Sequence, residues 1–258
     1  MAAIVIVSPL MEMTAKILAE TPGVEVILKR ERPGHIVFHY RFNGEPTTPK
    51  PALSALERGV YHRKDVTIRY GDFQYKMQTA YGLPEFDSLS YDTEILLKAL
   101  KGYKNKQFPH VAVLNPGQGH APVALWQYFH PQTTALIDRD LLALRYSRLN
   151  LALNGCLAES IELFHNVGLD IETHDKFGRR CDLIAGVLPD ENKEALQLSL
   201  EQAAGLLVPG GMVLLSGSST AVTRLVTHIE ANKLFSVKSR ERWRGYSVLA
   251  LECLKAST

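Results

Sequence analysis

The chain has 258 residues, 46% of them hydrophobic and 22% charged, which supplies a sizeable core and excludes a disordered chain. A formal net charge of +2 excludes a strongly basic or acidic protein and does not by itself point to nucleic acid. No run of about 18 apolar residues occurs, so no transmembrane helix and no membrane partner are expected, and the first residues lack the charged lead and cleavage site of a secretion signal.

In chain order, residues 1–78 read as a small α+β appendage with a candidate role in substrate recognition. Ile4–Ser8 is a short strand candidate, and Leu10–Glu20 has helical spacing that stops before Pro22-Gly23. Two β-rich runs, Val24–Leu28 and His35–Tyr40, flank the turn signal Pro33-Gly34. Asn43–Pro51 reads as a loop and Pro51–Arg58 as a helix. Asp65–Tyr70 and Phe73–Met77 flank Gly71-Asp72, which is a hairpin pattern. Basic residues outnumber acids in this segment. Ser90–Tyr103 follows as an amphipathic helix with Ile95, Leu96, Ala99 and Leu100 on one side and Ser90 at its start.

Phe108–Gly155 organises the remainder. His110–Leu114 is an apolar run of buried-strand type, Asn115–Ala121 a turn containing Gly117 and Gly119, Pro122–Phe129 a helix, and Thr134–Asp138 a second strand ending on an acid. The two glycines allow a tight turn and close backbone approach to a ligand, and an acid at the next strand tip can accept both hydroxyls of a ribose. Strand, glycine turn, helix, strand and acid in this order form the nucleotide-binding half of a doubly wound sheet. Leu141–Leu153 is the next helix, ended by Asn154-Gly155. Glu159–Asn166 reads as a short helical piece, Leu169–Thr173 as the third strand and Cys181–Asp190 as the fourth strand with its exit loop. A helix from Glu194 to Leu206, a turn at Val208–Gly211, a strand at Met212–Ser216, a helix from Ala221 to Asn232 and a closing strand hairpin complete the chain. Cys156, Cys181 and Cys253 lie far apart without metal-ligand spacing, so no metal is expected and a reduced, cytoplasmic compartment is. Lys238, Arg240, Arg242 and Arg244 surround Trp243, a pattern that can contact a nucleic-acid backbone and stack a base.

The central unit resembles class I S-adenosylmethionine-dependent methyltransferases, whose first motif is acid-x-Gly-x-Gly-x-Gly. Asn115 stands at the acid, Gly117 and Gly119 match, and Ala121 stands at the third glycine. Asp138 matches the ribose-binding acid. Arg148-x-Asn150-x-x-x-Asn154-Gly155 resembles a run that many RNA methyltransferases carry on the following helix. Leu89–Leu97 is similar to a segment of the small-domain group that includes the ribosomal small-subunit guanine-N2 methyltransferases. The resemblance covers roughly Phe73 to Leu254.

It implies a doubly wound, mostly parallel, seven-stranded Rossmann-like α/β sheet over residues 79–258, and methyl transfer from S-adenosylmethionine to RNA. Asn115, Gly117, Gly119, Asp138, Asp175 and Gly186 are the cofactor candidates. Tyr91, Thr93, Leu188, Arg242, Trp243 and Arg244 are the substrate candidates, and Asp190 is the candidate base, although Asp190 and Glu191 also suit a helix N-terminus. Amino-group methyltransferases of this group carry Asn-Pro-Pro-aromatic after the fourth strand. Here Val187 takes the Asn position and Pro189 alone is kept. Two other functions fit such departures: a methyltransferase-like binding or assembly module without catalysis, and a small-molecule methyltransferase. RNA and a second copy of the chain are the candidate partners.

Overall fold

The computed structural model describes residues 2–7, 10–44, 56–85, 87–169, 181–188 and 193–254, the side chains of 193–199 and 230–232 excepted. The chain forms two compact units, 1–58 and 59–258. In the smaller unit, β1 (Ala2–Val7), α1 (Met11–Glu20), β2 (Val24–Arg32) and β3 (His35–Phe42) make an antiparallel sheet in the order β1-β3-β2. Its core is Leu18 of α1 against Ile36 and Phe38 of β3.

The larger unit begins with the hairpin β4 (His62–Tyr70) and β5 (Phe73–Ala80). The boundary expected at 78/79 therefore falls at 58/59. The reason is the period of β5: Phe73, Tyr75 and Met77 all point into the core that holds Ile95, Leu97 and Val123. There follow α2 (Tyr91–Leu100), β6 (His110–Leu114), α3 (His120–Phe129), β7 (Thr133–Asp138), α4 (Leu141–Leu153), β8 (Ile161–His165), β9 (Cys181–Val187), α5 (Lys193–Leu206), β10 (Leu207–Ser218), α6 (Ser219–Asn232), β11 (Phe235–Trp243) and β12 (Tyr246–Cys253).

Seven strands form one sheet in the order β11-β12-β10-β9-β6-β7-β8. From β10 to β8 all pairings are parallel, and β12 runs antiparallel to both of its neighbours. Both faces are covered, which is why the central strands read as unbroken apolar runs. Val111 and Val113 face one core with Leu97, Val123 and Leu144, while Ala112 and Leu114 face the other with Leu200, Val222 and Leu225. The described strand that follows β7 is Ile161–His165, and Glu159–Asn166 is not helical apart from a single 3-10 turn at Ala158–Ser160. Ile161 and Phe164, three apart, mimic a helical stripe, but among the described residues they belong to an edge strand paired with β7 alone. Residues 170–173 of the expected strand and most of the expected helix Pro51–Arg58 lie outside the described residues. No described helix is long and apolar enough to cross a membrane.

The edge of β5 turned away from β4 is closed by side-chain amides. Asn154 accepts from Lys76 N–H at 3.0 Å and donates to Lys76 carbonyl at 2.7 Å. Asn150 accepts from Gln78 N–H at 2.7 Å and donates to Gln78 carbonyl at 3.0 Å. Gln118 accepts from Ala80 N–H at 2.7 Å. Four residues of helix rise roughly 6 Å and two residues of strand roughly 6.7 Å, so Asn at i and i+4 matches alternate strand residues. Each amide carries one donor group and one acceptor and so imitates a neighbouring strand. Asn150→Ala is expected to cost about 1–3 kcal/mol in urea unfolding, because it strands a buried N–H and carbonyl. Asn154→Ala, at a half-buried position, is expected to cost less.

Candidate functional site

The chain runs β6, β7, β8 outward in one direction and then returns to place β9 on the other side of β6. This reversal opens a crevice beyond the carboxyl ends of β6 and β9, where ligands bind in open α/β sheets. A cavity of about 510 Å³ lies there. Its walls include Asn115 and Gly117 after β6, Asp138 at the tip of β7, Leu188 after β9, Glu85 from the segment between β5 and α2, and Thr93 in the first turn of α2.

Asn115 takes a left-handed backbone conformation (φ 49°), which Asn tolerates better than most side chains. Its N–H donates to Ile137 carbonyl at 2.9 Å, and its side-chain amide donates to Val187 carbonyl at 2.8 Å. The amide thus ties the end of β6 to the end of β9, a bond no carboxylate could donate. Gly119 caps α3 at φ 102°, and a Cβ there would stand 3.0 Å from Ser147 Cα. Its smallness serves the close packing of α3 on α4. Gly186 lies within β9, and a Cβ on it would meet Leu114 carbonyl oxygen at 2.3 Å. That close approach explains the glycine, and Gly186 does not line the cavity.

Asp138 is 8% exposed and accepts from Asp140 N–H at 2.8 Å. Burial raises its pKa, with the Asp140 N–H pulling the other way. A carboxyl with a raised folded pKa stabilises the fold below the unfolded pKa and loses that contribution as pH rises. Its remaining oxygen lone pairs suit incoming hydroxyl donors.

Beside the glycine turn, His120 is 1% exposed. Its Nδ1 lies 3.0 Å from Tyr75 hydroxyl and its Nε2 lies 3.3 Å from Glu85 carbonyl oxygen. A carbonyl only accepts, so Nε2 carries the proton and Tyr75 donates to Nδ1. Burial lowers the pKa of His120, opposed by the charge of Glu85, and burial raises that of Tyr75. Glu85 itself has φ 63°, and its Oε1 accepts from Ser90 N–H at 2.8 Å and from Ser90 hydroxyl at 2.5 Å.

Of the substrate candidates, Thr93 and Leu188 line the cavity. Tyr91 does not; it is 42% exposed and meets Trp243 edge to face, with ring centroids 5.4 Å apart. Arg244 lies 4.7 Å from the Trp243 ring and 5.3 Å from the Tyr91 ring, and donates to Tyr91 hydroxyl at 3.3 Å. The basic stripe expected around Trp243 is reduced. Lys238 pairs with Glu252, and Arg240 donates to Thr223 hydroxyl at 2.5 Å, while Arg242 stays exposed. Asp175 and Asp190 lie outside the described residues. Sequence reasoning missed Glu85, His120 and Gln118. The last two stand inside the glycine motif, and their polarity at positions about to be buried was the available signal.

No family model and no curated protein matches the chain. Solved structures do. The T. thermophilus 16S rRNA N2 G1207 methyltransferase RsmC, in complex with AdoMet and guanosine, is 18% identical with a TM-score of 0.64, over 97% of this chain and 64% of its own. The ribosomal protein L11 methylase of Lactobacillus delbrueckii subsp. bulgaricus is 19% identical with a TM-score of 0.53, over 64% of this chain and 79% of its own. The N-methyltransferase NodS of Bradyrhizobium japonicum, solved with S-adenosyl-L-homocysteine, is 12% identical with a TM-score of 0.53, over 67% and 94%. The fold is that of the S-adenosylmethionine-dependent methyltransferases. Within this methyltransferase fold, the glycine turn and Asp138 occupy the switch-point crevice that the sequence resemblance implies.

The pKa of His120 is lower in the fold than the unfolded value of about 6.5, so its contribution to stability is present above that value and lost as pH falls through it. The urea midpoint of the parent is expected to fall from about pH 7.5 to about pH 5.5 more steeply than that of His120→Gln, which cannot take up the proton. Parallel pH profiles would show that the ring does not titrate on unfolding.

Proposed function

We propose that the chain is an S-adenosylmethionine-dependent methyltransferase acting on RNA. The observation that carries the reading is the switch-point cavity, bounded by a glycine turn on one side and a buried carboxylate at the tip of β7 on the other. The residues present fit the cofactor: Asp138 offers acceptors for ribose hydroxyls, and Gly117 (φ 54°) brings bare backbone to the ligand. When bound, the cofactor supplies a methyl group already activated on a sulfonium. The protein then needs to align a nucleophile and exclude water. Thr93 and Leu188 bound the space for the acceptor. Asp190, two residues beyond Leu188 in sequence, is the proton acceptor in this reading.

Support for RNA comes from the Tyr91–Trp243–Arg244 group. Ser90 and Asp92, on either side of Tyr91, line the cavity, so this aromatic and cationic platform borders it. Such a platform stacks bases and meets phosphate. The rRNA methyltransferase with bound guanosine among the similar structures is consistent with this acceptor class. A second reading, a module without catalysis, draws on one contact. Asn115 and Val187, which replace the motif acid and the amine-orienting Asn of the resemblance, are bonded to each other.

Titration with S-adenosylmethionine tests the cofactor. Asp138→Ala is expected to weaken binding by about 1–3 kcal/mol, and no binding by the parent at millimolar cofactor would favour the silent module. RNA is tested separately. Trp243→Ala with Arg244→Ala is expected to reduce RNA affinity and flatten its salt dependence while cofactor binding holds. Equal RNA binding by variant and parent would remove RNA from the proposal.

A further inference from the structure

We infer that Glu85 supplies the carboxylate that receives the amino-acid ammonium of S-adenosylmethionine, in place of the acid that Asn115 replaces; the inference rests on the cofactor reading above. The amino-acid end of that cofactor carries a charged ammonium, and taking it out of water is costly unless a carboxylate meets it. Asn115 cannot serve. Its side chain is neutral, and its amide is committed to Val187 carbonyl at 2.8 Å.

Four carboxylates among the described residues line the cavity: Glu85, Asp92, Asp138 and Asp140. Asp140 caps α4 by accepting from Leu142 N–H at 2.8 Å. Asp92 accepts from Thr93 N–H at 2.9 Å and from Ser90 hydroxyl. Asp138 stands at the tip of β7, one strand away from the glycine turn. Of the four, Glu85 is the one that comes within 4 Å of a Cβ built on Gly117, its Oε2 standing 3.9 Å away. Ser90 N–H goes to Oε1, and the Ser90 hydroxyl sits between Oε1 and Asp92 with one proton for the two, so Ser90 leaves the lone pairs of Oε2 for a ligand.

Glu85 is also held in place before any ligand arrives. His120 fixes its carbonyl and Ser90 fixes its carboxylate, while the backbone sits at φ 63°, a conformation that needs such restraint in a residue with a side chain. A carboxylate fixed in this way loses little freedom on binding. The acid of the glycine motif has in effect moved from the end of β6 to the loop after β5, across the same cavity.

The test is calorimetry on the full chain, parent and Glu85→Gln, with two ligands. One is S-adenosylmethionine. The other is 5′-methylthioadenosine, which keeps the adenosine and sulfur but lacks the amino-acid end. Glu85→Gln retains an oxygen to accept from Ser90, and its binding of 5′-methylthioadenosine reports an intact cavity. The expected result is a loss of about 10- to 100-fold for S-adenosylmethionine with affinity for 5′-methylthioadenosine held within about twofold. Unchanged binding of S-adenosylmethionine by the variant overturns the inference. So does an equal loss for both ligands, which would make Glu85 a wall residue. If the parent binds neither ligand, the cofactor reading itself falls and the inference with it.

Discussion

The structure depends on how the open edge of β5 is satisfied. An exposed strand edge presents unpaired N–H and carbonyl groups that seek a partner. Here Asn154, Asn150 and Gln118 take the N–H groups of Lys76, Gln78 and Ala80 in succession. Asn150 stands on α4, Asn154 is the residue that caps its C-terminus, and Gln118 lies in the glycine turn. Asn150 also donates to Gln118 carbonyl at 2.7 Å, and Ser147 donates to Gly117 carbonyl at 3.0 Å. Hairpin, helix and turn are thus one hydrogen-bonded assembly. The segment that leaves β5 begins from this anchor, and Gln118 holds Pro84 carbonyl at 2.5 Å. That is how Leu83, Pro84 and Glu85 come to form a wall of the cavity.

Charge inside the cavity follows from the same arrangement. Closing β6 onto β9 with a donor at position 115 excludes a carboxylate there, and the amide leaves the mouth of β6 without that negative charge. Carboxylates remain on the opposing walls, at Asp138 and at Glu85. His120 stays neutral under burial, so it can hold Glu85 carbonyl without placing a second charge beside the turn. The Tyr91–Trp243–Arg244 group takes no part in these bonds; it stands on the first residue of α2 and at the turn between β11 and β12.

The doubly wound unit was legible because its signals are local and agree: apolar runs of strand length, glycines between them, and an acid after the second run. The asparagine spacing on α4 was legible as a resemblance, but its physical role was not. Pairing between a helix side chain and a strand edge some 70 residues earlier leaves no local periodicity. The hairpin was assigned to the appendage for the same reason, since the partners of Phe73, Tyr75 and Met77 come from later in the chain. In sequence the stripe is only a cluster of basic residues around Trp243, which cannot reveal that Arg240 is taken up by Thr223 and Lys238 by Glu252. Glu85 carried no motif at all; its place is set by His120, Ser90 and Gln118 together.

A crystal structure of the chain grown with S-adenosyl-L-homocysteine tests the central claim most directly. The account requires the ligand in the switch-point cavity, its ribose hydroxyls on Asp138 and its amino-acid end between Gly117 and Glu85. A ligand bound elsewhere, or one whose amino-acid end turns away from the glycine turn, would contradict it.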